Sequence, residues 1–158
     1  YIPVIRGYFP DSKAIGEAIA ADLARVGNRV NLMTEDWGAY LDYRNECKFP
    51  MWMLGWGSDN GDPDNYIGYH FIHQPGQPKK EDCYDNPELA ELLIQGAIEV
   101  DPAERERIYM RAEEIVKEDV ARIPVVWAST PTVYRKEVKG YTPVVFRSWY
   151  EYIWLDNQ

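Results

Sequence analysis

The sequence predicts an α/β fold, a mixed β-sheet flanked by helices, on three observations. Extended apolar runs alternate with helical patterns over the first 56 residues, two strongly capped helical patterns follow, and aromatic extended runs return near the end. At 158 residues and 46% hydrophobic composition, the chain has the means for one ordinary core. Neither an internal repeat nor a low-complexity linker divides it, so a single domain over 1–158 is expected.

The elements follow in order. "YIPVIRGYF" (1–9) reads as a first strand. In "DSKAIGEAIAADLARVG" (11–27), Asp11 or Ser12 caps a helix whose Ile15, Ala18, Ile19, Leu23 and Val26 recur at helical spacing, and Gly27 ends it. "NRVNLMTED" (28–36) reads as a second strand and "WGAYLDYRNE" (37–46) as a short helix carrying Trp37, Tyr40, Leu41 and Arg44. "FPMWMLGW" (49–56) is apolar throughout, as in a strand buried on both faces. Asn86 with Pro87 opens the next helix, with a stripe of Leu89, Leu92, Leu93 and Ala97. Asp101, Pro102 and Glu104 open another, with Ile108, Ala112, Ile115 and Val116 inward. "IPVVWAS" (123–129) and "TVYRKEV" (132–138) read as paired strands. "VVFRSWYEYIWL" (144–155) reads as an extended tail whose Tyr150, Tyr152 and Trp154 share one face.

A net charge of −9 and a pI near 4.7 argue against a phosphate-tracking surface, so no nucleic-acid partner is expected. The basic runs "PKK" and "YRKEVKG" read as solvated loop charge, and no apolar stretch approaches the roughly 20 residues of a membrane span. The chain starts at Tyr1 without a leader pattern and reads as processed or as a piece of something longer. Cys47 and Cys83 lack metal or redox spacing and read as two unconnected thiols; a disulfide, the less favoured alternative, would require an oxidising compartment.

The stretch "GWGSDNGDPDNY" (55–66) demands an account. Counted from Asp59, the sixth residue is Asp64 where a calcium loop of the EF-hand type needs glycine, and His70 with His73 lacks a third ligand for zinc; no metal or other cofactor is expected. Asp59 paired with Asp62 or Glu151 could be nominated as glycosidase carboxylates, but no spacing selects them, and no nucleophile motif accompanies them. Asp62, Pro63, Asp64 and Asn65 read as turn and cap chemistry. Asp59 differs, because it follows Trp56 at the carboxyl end of an expected central strand, where open α/β sheets bind ligands.

"GWGSDNGDPDNY", "YDNPELAELLIQGAIEVDPAERERIYMRAEEIVKEDVARIPVV" (84–126) and "VYRKEVKGY" (133–141) resemble, in order, the later part of extracytoplasmic solute-binding proteins of family 5, the dipeptide- and oligopeptide-binding proteins of ABC importers. The resemblance runs over essentially the whole chain. It implies part of one lobe of a two-lobed periplasmic-binding-protein-like fold of type II, the C-terminal lobe of a longer chain. The tail, 141–158, would cross toward the remaining lobe.

It also implies a non-enzymatic protein that captures di- or oligopeptides by hinge closure and hands them to ABC permease subunits. The location implied is periplasmic or at the cell surface, with a lipid anchor in some members. For the site it implies that Asp59 takes a ligand ammonium, that Trp56 and Trp37 line the pocket, and that Arg44 meets a carboxylate; charge-assisted pairs suit both ends of a peptide. Ordinary structural roles stay open for all four: core packing for the tryptophans, a surface place for Arg44 and a turn cap for Asp59. Cys83 stands where some dipeptide-binding members have a cysteine, whereas Cys47 does not match its usual partner. The aromatic tail leaves an oligosaccharide ligand open, since sugar-binding members use aromatic platforms. A carbohydrate-active enzyme is the alternative from another class.

Overall fold

The computed structural model describes residues 1–3, 11–73, 83–127, 131–142 and 150–156. Five α-helices lie among them: α1 Ser12–Arg25, α2 Trp37–Asn45, α3 Ile67–Phe71, α4 Pro87–Ile98 and α5 Pro102–Glu118. Two short strands, β1 Val138–Lys139 and β2 Trp154–Leu155, pair antiparallel, and 3-10 turns cover Pro63–Asn65 and Tyr150–Tyr152.

The three caps expected from sequence close as hydrogen bonds. The Asp11 carboxylate accepts from the Ala14 amide at 3.0 Å, the Asn86 side chain from Leu89 at 3.1 Å, and the Asp101 carboxylate from Glu104 at 2.8 Å. Each satisfies an amide that the first helical turn leaves open. The core forms where α3, α4 and α5 meet: Ile67, Phe71, Leu89, Leu93, Tyr109, Ala112 and Ile115 are all buried. Gly96 allows α4 and α5 to approach closely, since a Cβ there would stand 3.0 Å from the Tyr109 ring and 3.2 Å from Ile108. Ala97, expected on the inner stripe of α4, is exposed, and Ala90 and Gly96 take the inward positions instead.

The stripe expected on α1 is not buried as such. Only Ser12 and Gly16 of that helix are buried, while Ala18 and Val26 are exposed. The Ser12 hydroxyl donates to the Pro3 carbonyl at 2.7 Å, and Gly16 receives Ile2, Leu32 and Met53 against its bare Cα. The helix therefore docks by its small residues, and large apolar spacing alone misplaced its buried face.

The expected strands are corrected most. Tyr1–Pro3 passes between two segments: the Ile2 amide donates to Met33 at 2.9 Å beside a parallel bridge of Ile2 with Thr34, and the Met53 amide donates to Tyr1 at 3.2 Å. Among the described residues the ladder extends no further, so 28–36 and 49–56 are extended segments with one sheet-like junction rather than strands. Residues 4–9 of the first expected strand lie outside the described residues. Nor is 49–56 buried on both faces: Phe49 is buried against Tyr1, Tyr40 and Tyr43, but Met51 and Trp56 are exposed. A strand exists only where neighbours take its amides and carbonyls, which apolar composition does not reveal.

Near the end of the chain, 123–127 is exposed and unstranded, and β1 pairs instead with β2, Val138 opposite Leu155 and Lys139 opposite Trp154. Gly140 (φ +73°) permits the return, because a Cβ there would stand 2.0 Å from the Tyr152 carbonyl oxygen. Tyr150 and Tyr152 belong to a 3-10 turn, so they do not alternate with Trp154 along one strand; residues 143–149 of the expected tail lie outside the described residues.

Cys47 and Cys83 form a disulfide with their Cα atoms 5.7 Å apart. This overturns the expectation of two unconnected thiols. The bond joins the end of α2 to the segment that leads into α4, across 36 residues of sequence, a proximity that spacing rules for local motifs do not detect.

Candidate functional site

The loop after Leu54 is a run of side-chain-to-backbone turns. The Ser58 hydroxyl oxygen accepts from the Gly61 amide at 2.8 Å, the Asn60 side-chain oxygen from Asp62 at 2.9 Å, and the Asp62 carboxylate from Asp64 at 2.8 Å. Asp62 thereby caps the 3-10 turn Pro63–Asn65, the turn chemistry its sequence predicts. Short polar side chains hold this loop in shape where a sheet ladder would otherwise do so.

Arg105 of α5 ties the loop to the core. Its Nη2 donates to the Asp62 carboxylate at 2.7 Å and its Nε to the Gly96 carbonyl at 2.9 Å, while the guanidinium lies 4.8 Å from the centre of the Tyr109 ring. The Arg105 bond and charge hold the Asp62 carboxyl below its usual value. Burial pushes the Tyr109 hydroxyl up to about 12, with the nearby Asp64 carboxylate adding to it. Asp62 is therefore held ionised and engaged by Arg105 and the Asp64 amide, which makes it a structural anchor of the loop.

Asp59 is exposed. Its backbone amide donates to the Asn65 side-chain oxygen at 2.7 Å, and among the described residues its carboxylate makes no hydrogen bond or ion pair. The capping roles in the loop fall to Ser58, Asn60 and Asp62. Trp56 is 37% exposed and stacks on the equally exposed Tyr69 (centroids 3.9 Å, planes 15° apart), with the edge of His70 at 5.2 Å. Its indole Nε1 donates to the Asn65 carbonyl at 3.1 Å.

Trp37 and Arg44 lie two helical turns apart on α2. Trp37 is half-buried and stacks near Tyr40 (5.8 Å), whose hydroxyl donates to the Met53 carbonyl at 2.8 Å. Arg44 is buried, with its guanidinium 5.5 Å from the centre of the Trp52 ring and its Nη2 donating to the Asn45 side chain at 3.4 Å. The surface position weighed for it is thus corrected: seven residues on from Trp37, it falls on the face of α2 that meets 49–56. The four expected residues stand in two clusters, Trp56 with Asp59 on the loop and Trp37 with Arg44 on the helix. Sequence reasoning missed Tyr69, the second bond of Asn65 and the anchor Arg105. Only Asn65 carried a local signal, read there as a plain turn residue.

Residues 2–78 match the family profile "Bacterial extracellular solute-binding proteins, family 5 Middle". The chain is 33% identical over 144 residues to the dipeptide-binding protein of Escherichia coli, covering 89% of this chain and 26% of that protein. It is 31% identical over 148 residues to heme-binding protein A of Haemophilus influenzae, covering 91% of this chain and 26% of that one. Among solved structures, HbpA2 from Haemophilus parasuis superposes with a TM-score of 0.78 at 25% identity, over 98% of this chain and 31% of that chain. The periplasmic binding protein DppA from Helicobacter pylori, in complex with the peptide STSA, gives a TM-score of 0.71 at 26% identity, over 99% and 31%. The chain thus spans about a quarter of the length of the curated relatives it matches. It belongs to the bacterial extracellular solute-binding proteins of family 5, and its fold is part of one lobe of their type II periplasmic-binding-protein architecture.

Proposed function

We propose that this chain is the C-terminal lobe portion of the binding component of an ABC importer. That component captures di- or oligopeptides between two lobes, closes by hinge motion and delivers them to the permease outside the cytoplasmic membrane. The observation that carries the reading is the state of Asp59: its amide is tied to Asn65, the residue that also holds the Trp56 indole, and its exposed carboxylate makes no bond to any described residue. An exposed carboxylate on a held backbone, unbonded among the described residues, suits an ammonium group, which gains a charge-assisted bond once a closing lobe excludes water. In this reading Trp37 and Arg44 serve the ligand from a second cluster on α2, Trp37 as a pocket wall and the buried Arg44 as a partner for a ligand carboxylate. The names of the relatives, dipeptide- and di/tripeptide-binding proteins among them, support a peptide.

No turnover accompanies binding in this account, and the isolated chain binds peptide weakly, because one wall of a cleft cannot enclose a ligand. The test is Asp59→Ala in the full-length protein, titrated with a defined library of di- to pentapeptides. Leaving a buried ammonium unpaired costs about 2 to 5 kcal/mol, an affinity loss of roughly 30-fold to several-thousand-fold. Equal affinity in mutant and parent would remove Asp59 from the site. The half-exposed Trp56–Tyr69 stack also favours a second reading, an oligosaccharide whose rings lie on that platform. That reading predicts indifference to every peptide and binding of short oligosaccharides abolished by Trp56→Ala.

A further inference from the structure

We infer that Asn65 is a positioning residue for the ammonium subsite, setting the geometry of Trp56 and Asp59 together. The inference rests on the peptide reading proposed above. Asn65 uses two different atoms for the purpose. Its main-chain oxygen accepts from the Trp56 indole Nε1 at 3.1 Å, and its side-chain oxygen accepts from the Asp59 backbone amide at 2.7 Å. Two candidate ligand-contacting residues thus converge on one residue that need not touch the ligand.

The constraints on Trp56 are complementary. Stacking on Tyr69 fixes the plane of the indole, and the bond from Nε1 fixes its rotation within that plane. For Asp59, the bond at the amide fixes the backbone from which the carboxylate projects. Asn65 itself is held in place, because it ends the 3-10 turn Pro63–Asn65, donates its amide to the Asp62 carbonyl at 3.1 Å, and so reaches through the Asp62 carboxylate to Arg105 and the helical core. A continuous set of bonds therefore leads from α5 to the carboxylate that would meet the ligand.

Residue chemistry at this position is restricted. The side chain must present an oxygen acceptor at a length that reaches the Asp59 amide. Glutamine has the acceptor one methylene too far out. Aspartate has the length, but its negative charge would lie close to Asp59 and alter the attraction for an ammonium on its own account. Asparagine supplies the acceptor at the right length with no charge.

The experiment is a double-mutant cycle in the full-length protein with Asp59→Ala and Asn65→Ala, titrated with the di- to pentapeptide library in free and N-acetylated forms, with thermal melts alongside. The expected result is that Asn65→Ala weakens free-amine peptides about 5- to 10-fold, the loss of one well-placed hydrogen bond. N-acetylated peptides should change by less than about twofold, and Asn65→Ala should have no further effect in the Asp59→Ala background. Asn65→Gln is the second variant, retaining polarity at the site and losing the same preference. A purely structural asparagine would instead lower the melting temperature and weaken both peptide forms alike. That pattern, or full additivity with Asp59→Ala, overturns the inference while leaving the ammonium subsite in place. An Asp59→Ala protein that keeps the parent's preference for free amines overturns the subsite, and this inference with it.

Discussion

Two regions of the chain treat their apolar side chains in opposite ways. From Ile67 to Ile115, the helical region turns Leu89 and Leu93 fully inward and buries Phe71, Ala112 and Ile115 around them. From Val120 to Leu155, the described residues carry Ile123, Val125, Val126, Trp127, Val133, Tyr150, Tyr152, Trp154 and Leu155 exposed. The second region is the richer in apolar residues, yet among the described residues it buries fewer of them: helices satisfy their own backbones and need only one shared face, whereas extended segments need neighbours for both backbone and side chains. The loop carrying Trp56 and Asp59 is bound to the first region, through Arg105, and takes its rigidity from there.

The contrast is broken or sharpened by substitution. The largest effect is expected at Leu93, fully buried between α4 and α5: Leu93→Ala should cost about 2 to 5 kcal/mol in chemical denaturation. Val133→Ala, at a side chain 94% exposed, should stay within about 0.5 kcal/mol. Comparable losses at the two positions would mean that Val133 is covered in solution, and the contrast would fail.

Next is the disulfide, which ties α2 to the start of the helical region. Replacing Cys47 and Cys83 by serine should cost about 2 to 4 kcal/mol, as expected for a link closing a loop of this size. If denaturation midpoints are identical with and without reductant, the link is not closed in solution.

A smaller effect is expected at the anchor. Arg105→Met removes the partner of Asp62 and should cost about 1 kcal/mol, modest because both side chains are partly exposed. It also has a pH signature. The folded-state value of Asp62 lies below its ordinary 3.8, so the pair contributes fully above that value and its contribution is lost as the pH falls through the lower, folded-state value. The difference in stability between parent and Arg105→Met should therefore shrink on acidification below about pH 4. A difference that stays constant there would show that the ion pair is not what Arg105 contributes.

The same contrast decides what was legible in the sequence. α4 and α5 were readable because caps and periodic stripes are local: Asn86 and Pro87, Asp101 and Pro102 announce their helices within four residues. The turn at Asp62–Asn65 was readable for the same reason. The strands were not, since the partner of Val138 is Leu155 rather than a segment from 123–129, and the extension of Tyr1–Pro3 is set by Met33 and Met53. Small residues hid the docking face of α1, where Gly16 rather than a large side chain is buried. In the candidate site, the motif nominates Trp56 and Asp59. Their supports were not legible, because Tyr69 and Arg105 reach them through packing, and the second bond of Asn65 is a main-chain acceptor that no residue type signals.

The central claim is that the Asp59 carboxylate, carried on a backbone held by Asn65 and unbonded among the described residues, receives a ligand ammonium. The measurement that tests it most directly is calorimetric titration of the unmutated full-length protein with one tightly bound peptide and with its N-acetylated twin. Acetylation removes the positive charge and leaves the rest of the peptide unchanged. The account predicts a loss of roughly 30-fold or more on acetylation, the cost of burying the carboxylate without its partner. Equal affinity for the two forms would contradict it.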